Sequence, residues 1–307
     1  MTDYSELIPL SEKKPFIQFL VSMFLMLLIS LIGLLITILT AWLIFGIAPG
    51  EADLWQPAPT NRYIYYFKYL QTFQHLSMFL IPALAVAFFM RGDIFSYLGL
   101  NKKPGMISAL LSVLFIVFII PLNSYLSWLN SGLDLPHWLG WLESWMVDKE
   151  LESERLTQIL MNASNMGILF INILIIAIIP AVGEEFLYRG VLQNIFTRWL
   201  RSGNMAVILT AFLFSAAHLQ FYGFLPRFIL GLGFGYMYLW SKNIWLPVLA
   251  HLVNNLVPVI LSYFMGWDNI NNTIDEISAR DGLFMVIPAF IAVLILFNIR
   301  KESQASN

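Results

Sequence analysis

The feature that most limits this chain is a series of membrane-length apolar stretches. Eight lie at approximately 16–48, 69–90, 105–129, 165–186, 203–219, 224–241, 244–264 and 282–299. About 20 predominantly apolar residues are enough for an α-helix to cross the hydrocarbon core of a bilayer. A helix also pairs its backbone N–H and C=O groups internally, which lipid demands. The 307 residues are 59% hydrophobic and only 12% charged. A soluble domain carries roughly 25% charged residues, so too few remain here to coat a globule. The expected fold class is therefore all-α, a polytopic transmembrane bundle of about eight spans. Ten Trp and twelve Tyr suit interfacial belts.

Lys13 and Lys14 precede the first apolar run in the manner of a signal peptide. That run, Phe16 to Ala48, far exceeds a signal h-region of about 7–15 residues. It reads as a first, uncleaved transmembrane helix, long enough to tilt or emerge. Orientation follows from Lys and Arg. With a cytoplasmic N-terminus, the inner segments hold Lys13, Lys14, Arg91, Lys102, Lys103, Arg198, Arg201, Lys242, Arg300 and Lys301. The outer ones hold Arg62, Lys68, Lys149, Arg155, Arg227 and Arg280, with acids crowded at Asp148–Glu154 and Asp268–Asp281. Both termini are expected inside, in a multi-pass protein of a bacterial plasma membrane. The lipid bilayer is one expected partner. No basic run suggests nucleic acid. The lack of Cys removes disulfides, thiolate metal sites and a cysteine nucleophile.

Polar groups divide the chain. The first three spans are almost purely apolar, so residues 1–130 read as a scaffold. Residues 131–164, with Trp138, Trp141 and Trp145 among acids and Leu, read as an interfacial amphipathic segment. Residues 165–264 carry the unusual polar groups and read as the functional core. Residues 265–307 supply a last loop, span and tail.

A charge at mid-membrane costs at least ~2.5–3.5 kcal/mol on insertion scales, so it generally has a purpose. Glu184, Glu185 and Arg189 lie in one apolar helix. Glu185 and Arg189 are four apart and can pair on one face. Glu184 points about 100° away, so one carboxylate is left to act as a base. Downstream come two further i,i+4 pairs, Phe214 with His218 and His251 with Asn255. Phe214 can fix the rotamer of His218. His251 and Asn255 offer two hydrogen-bond donors, which a developing oxyanion needs. In a hairpin turning near Arg201–Gly203, Glu184 and His218 fall at similar depth. His251 fits that register poorly and calls for a tilt, or a kink at Pro247.

These three motifs, Glu184-Glu185-x-x-x-Arg189, Phe214-x-x-x-His218 and His251-x-x-x-Asn255, resemble those of the CAAX prenyl protease and bacteriocin-processing family of intramembrane endopeptidases. Each is weak alone; three in order within a polytopic protein are specific. The resemblance implies hydrolysis of a peptide bond in a membrane-associated or lipidated substrate. In that family pattern Glu184 and His218 activate water, and His251 and Asn255 stabilise the oxyanion. Glu185 and Arg189 support them, with Phe214 beside His218. Zinc held by Glu184, His218 and His251 would use the same residues, and the sequence does not choose between zinc and no metal. The helical zinc-protease signature His-Glu-x-x-His is missing. No other cofactor is implied, and the oligomeric state is not legible.

Plainer readings compete. Glu184, Glu185 and Arg189 could form a packing cluster, although one arginine cannot neutralise two carboxylates. A single buried His is more often structural, and Asn commonly joins membrane helices. His75 has no partner within its own helix and reads as structural; His137 reads as interfacial. Asn254 could stand in for Asn255, but only Asn255 lies four residues from His251. Gly231-Leu-Gly-Phe-Gly235 lies within a span and reads as close helix packing, not a nucleotide loop. A proton-coupled transporter would also use intramembrane Glu, His and Arg, but it predicts two similar halves. A non-catalytic scaffold of the same fold would tolerate loss of Glu184 and His218.

Overall fold

The computed structural model describes residues 9–55, 59–132, 135–267, 269 and 285–305. In chain order the helices are α1 (Pro15–Phe45), α2 (Asn61–Arg91), α3 (Ile94–Leu98), α4 (Met106–Ser131) and α5 (Gly140–Met161). They continue with α6 (Met166–Leu200), α7 (Gly203–Ala216), α8 (Phe224–Ser241), α9 (Trp245–Met265) and α10 (Val286–Ala305). No strand occurs among the described residues. The fold is a helical membrane bundle. A helix stands at each of the eight expected stretches, but only α1, α2, α4, α6 and α9 are long and apolar enough to cross a bilayer. At 14 residues, α7 is apolar but shorter. The acidic loop 268–281, including Arg280, falls outside the described residues apart from Asn269.

The outer surface is what a lipid solvent permits. Helix α1 leaves Phe24, Leu27 and Leu43 exposed, at 63%, 66% and 69%, an apolar surface that water would penalise. Its C-terminal carbonyls are closed by Gly46, in the left-handed conformation with φ 57°. Arg62 also donates to Phe45 O from the start of α2. The segment 131–164 folds mainly into α5, with Trp138 and Trp141 exposed at 76% and 71%. Trp145 on α5 packs against Phe221, ring centroids 5.1 Å apart.

Two prolines shape the helices that carry the polar groups. Wide π-helical turns run over Leu76–Leu80 in α2 and Ile173–Ile178 in α6, just ahead of Pro82 and Pro180. Proline has no N–H and displaces the carbonyl four residues before it, so the ladder re-forms with a wider turn. The Ser30 hydroxyl of α1 donates to Ser77 O, 3.2 Å, within the first π turn. A third π stretch, Phe186–Gln193, carries Arg189.

Packing around α6 is close because small residues stand at the crossings. A Cβ on Gly183 would lie 3.3 Å from Leu80 N and from Phe79 Cβ, so α6 runs almost against the π turn of α2. The glycines of α8 work similarly. Cβ atoms on Gly231 and Gly235 would press on Ala211 and Val207 of α7, and one on Gly233 on Phe115 of α4. The expected helix-packing role of this run is what the structure shows. Arg189 Nη2 donates to Gly231 O (3.1 Å) and Gln193 Nε2 to Gly235 O (2.9 Å), tying α6 to α8. One apolar core, including Val86, Met90, Leu98, Val191 and Ile195, joins α2, α3 and α6. Another, including Phe115, Ile116, Phe234, Met237, Ile295 and Ile299, joins α4, α8 and α10.

Candidate active site

The three motifs converge on α6. Glu184, Glu185, Arg189 and His251 are at most 4% exposed. Glu185 Oε1 accepts from Arg189 Nη1 at 2.9 Å, the expected i,i+4 pair, and lies 2.9 Å from His251 Nδ1. The Arg189 guanidinium faces three aromatic rings, with Phe214 nearest at 4.8 Å and Phe234 at 5.4 Å. The buried arginine is held by a carboxylate, a carbonyl and ring faces, while its Nε has no hydrogen-bond partner among the described residues.

Glu184 has different company. Its Oε1 lies 3.2 Å from His75 Nε2, and its Oε2 lies 4.0 Å from His251 Nε2. Among the described residues Oε2 has no hydrogen-bond partner. The two adjacent carboxylates are thus divided as their helical positions require. Glu185 is tied into an ion pair, and Glu184 faces imidazoles.

The His tautomers follow from what each ring nitrogen meets. Phe214 O, 2.8 Å from His218 Nδ1, can only accept, so that nitrogen carries the proton and Nε2 keeps its lone pair in the neutral ring. His251 Nδ1 likewise donates to the ion-paired Glu185, leaving Nε2 turned toward Glu184. Phe214 therefore positions His218 twice, through its carbonyl and through its ring, 5.2 Å away edge-on. Phe234 stacks on His251 at 5.2 Å.

His218 stands just beyond α7, which ends at Ala216 rather than continuing to residue 219. Leu219, at φ 54°, turns the chain out of the helix. The loop is pinned at several points. Asn130 of α4 donates to Phe221 O (2.6 Å) and Tyr222 O (2.8 Å), and Arg227 donates to Gln220 O (3.2 Å). Ser215 Oγ donates to Phe224 O at 2.6 Å. None of these ties has a local sequence signature.

His251 reaches the level of Glu184 without a kink at Pro247, which sits in the first turn of α9, where proline is tolerated. The π turns of Phe186–Gln193 rise less per residue than an α-helix. They move Glu184 in the direction the register required. One turn on from His251, the Asn255 carboxamide accepts from Asn254 Nδ2 at 3.2 Å and donates weakly to Ile176 O at 3.4 Å. Asn254 thus orients Asn255.

A cavity of about 460 Å³ connects these groups, lined by His75, Glu184, His218, His251 and Asn255. Gln71, Gln74, Ser153, Thr157, Gln220 and Arg227 add polar wall. The space is polar and roomy enough for water. Ser153 and Thr157 belong to α5, so the segment expected only to lie at an interface also closes one side of the cavity. His75, set aside as structural in the sequence, lies directly on Glu184. The zinc set Glu184, His218 and His251 lines the same space. Yet among the described residues no three His, Cys, Asp or Glu side chains are gathered so as to hold a metal ion. As placed, these side chains do not form a zinc cage.

Buried paired carboxylates, two oriented imidazoles and an amide donor thus gather around one cavity in a helical membrane bundle. Residues 166–257 match a family model described as Rce1-like, type II CAAX prenyl endopeptidase. This segment, under a third of the chain, is thus similar to the CAAX prenyl endopeptidases. No curated protein and no solved structure matches the chain.

Proposed function

We propose that the protein is an intramembrane endopeptidase that hydrolyses a peptide bond of a membrane-associated or lipidated protein or peptide, CAAX-type substrates among them, through a water activated by Glu184 and His218. The observation that carries this reading is the state of Glu184. One oxygen is held by a neighbouring ring, the other has no hydrogen-bond partner among the described residues, and the side chain lines a cavity with His218, His251 and Asn255. A general base needs such an unpaired oxygen within reach of the proton it takes.

The steps follow from the chain's own groups. A water lying between Glu184 Oε2 and His218 Nε2 gives its proton to Glu184 as its oxygen attacks the scissile carbonyl carbon. The carbonyl π electrons move onto oxygen, and the Asn255 amide donates to that oxyanion. His251 can donate there from Nε2 only as an imidazolium, because its Nδ1 proton is committed to Glu185. When the tetrahedral intermediate collapses, the C–N bond breaks. The proton on Glu184 passes to the leaving nitrogen, which returns the carboxylate. Glu185, Arg189 and Phe214 hold the two His residues and do not meet the substrate in this scheme.

The test is cleavage of a mixed panel of prenylated and membrane-anchored peptides by purified protein beside Glu184→Ala and His218→Ala, with metal content measured on the same samples. Cleavage by wild type that is lost in both folded variants supports the reading. Cleavage unchanged in both variants refutes the site. Stoichiometric zinc in active protein, absent from the variants, would replace the metal-free scheme.

A further inference from the structure

We propose that His75, backed by Gln71, is a positioning residue for the hydrolysis: it holds one oxygen of Glu184 and so decides which oxygen takes the proton. The inference rests on the reading of Glu184 as the base. His75 lies 109 positions before Glu184 and belongs to none of the three motifs.

The geometry is built, not incidental. His75 ends the α-helical part of α2, immediately before its π turn. Gly183 meets that turn at Leu80 and Phe79, the close approach that sets α2 level with Glu184. The ring lies against Phe79, centroids 5.3 Å apart. Its Nδ1 is 3.1 Å from Gln71 Nε2 and 3.3 Å from Gln71 O. An ionised carboxylate at Nε2 requires the proton there. Nδ1 of the neutral ring then accepts from the Gln71 amide. The carboxylate thus sets the tautomer, and the Gln71 amide supports it by donating to the lone pair left on Nδ1.

Without this bond Glu184 could turn about its terminal torsion and present either oxygen, because such torsions are broad and roughly two-fold. With it, Oε1 is occupied and Oε2 is the oxygen left unpaired, 4.0 Å from His251 Nε2. His75 thereby serves Glu184 as Arg189 serves Glu185, through a neutral N–H in place of a guanidinium fork. The neutral donor orients the carboxylate without binding its charge in a bidentate pair.

The experiment compares wild type, His75→Phe, His75→Gln and Gln71→Met, each purified in detergent with its melting temperature recorded. Turnover is read on a farnesylated peptide cleaved by wild type, with Glu184→Gln as the inactive reference. In parallel, mass spectrometry follows labelling of Glu184 by a hydrophobic carbodiimide, which needs no substrate; Glu185, paired with Arg189, is the internal control. His75→Phe should lower kcat about 10–100-fold with KM nearly unchanged, the scale of one lost hydrogen bond to a charged group. Its Glu184 should label severalfold faster. His75→Gln, which keeps an N–H donor, should recover most of both effects. Gln71→Met should fall between wild type and His75→Phe. Wild-type kcat and labelling in His75→Phe would overturn the proposal. So would His75→Gln behaving like His75→Phe at equal melting temperature, which marks a packing role, or a rise in KM alone. If His75→Phe does not fold, Gln71→Met and His75→Gln decide by the same readings. If wild type cleaves nothing, the protease reading weakens, and the labelling still decides whether His75 holds Glu184.

Discussion

Arg189 offers the sharpest test of how the site is held together. The guanidinium is fully buried, its Nη1 lies 2.9 Å from Glu185 Oε1, and its Nη2 donates to Gly231 O at 3.1 Å. Arg189→Met keeps most of the side-chain volume and removes the charge. Glu185 would be left fully buried and supported only by His251 Nδ1 at 2.9 Å. Removing one partner of a buried pair costs about 3–5 kcal/mol, chiefly because a charge is stranded. Glu185→Gln removes the stranded charge, so Glu185→Gln/Arg189→Met should be more stable than Arg189→Met alone. The two sites touch, and coupling of about 0.5–3 kcal/mol is the range for such neighbours. The assay is reversible unfolding in mixed detergent micelles, read by tryptophan fluorescence for both singles and the double variant. A loss under about 1 kcal/mol for Arg189→Met would refute the claim that this pair is desolvated. So would a double variant whose losses simply add.

Two further outcomes follow from other contacts. Asn255→Ala should cut kcat about 10²–10³-fold with little change in melting temperature, the cost of losing one oxyanion donor; steady-state cleavage kinetics check it. Lys68 is 3% exposed and its ammonium binds Asn162 O at 2.7 Å and Asn172 Oδ1 at 2.5 Å, tying α2 to α6 and to the end of α5. Lys68→Met should therefore destabilise the fold by about 1–3 kcal/mol through its unpaired acceptors, measured by the same unfolding assay, without lowering kcat in the folded fraction.

Much of the core was legible because helical spacing is a local property. The Glu185–Arg189 pair, the Phe214–His218 contact and the separation of Glu184 from Arg189 all follow from 3.6 residues per turn. So did the role of the Gly231–Gly235 run. What escaped depended on contacts between helices. His75 has no helical partner, and its place beside Glu184 comes from the approach of Gly183 to Leu80 across two chain segments. The level of Glu184 relative to His251 is affected by the π stretch Phe186–Gln193, which has no proline to announce it in the sequence. The donors expected from His251 were counted without Glu185, which takes its Nδ1. The wall supplied by α5 could not be read from an amphipathic pattern, which names a face and not what it covers. Hydropathy located eight helices, but only five among the described residues are long and apolar enough to cross a bilayer: α7 is only 14 residues long, and α8 and α10 carry too much polar or charged character over their length.

The measurement that bears most directly on Glu184 as the base is cleavage in heavy-oxygen water. Wild type and Glu184→Gln would be matched for folded fraction and given the same farnesylated peptide, with both product fragments weighed by mass spectrometry. Wild type should place one heavy oxygen in the new carboxyl group, and Glu184→Gln should form product at least about 10²-fold more slowly, as loss of a general base requires. Product from Glu184→Gln at the wild-type rate would contradict the account.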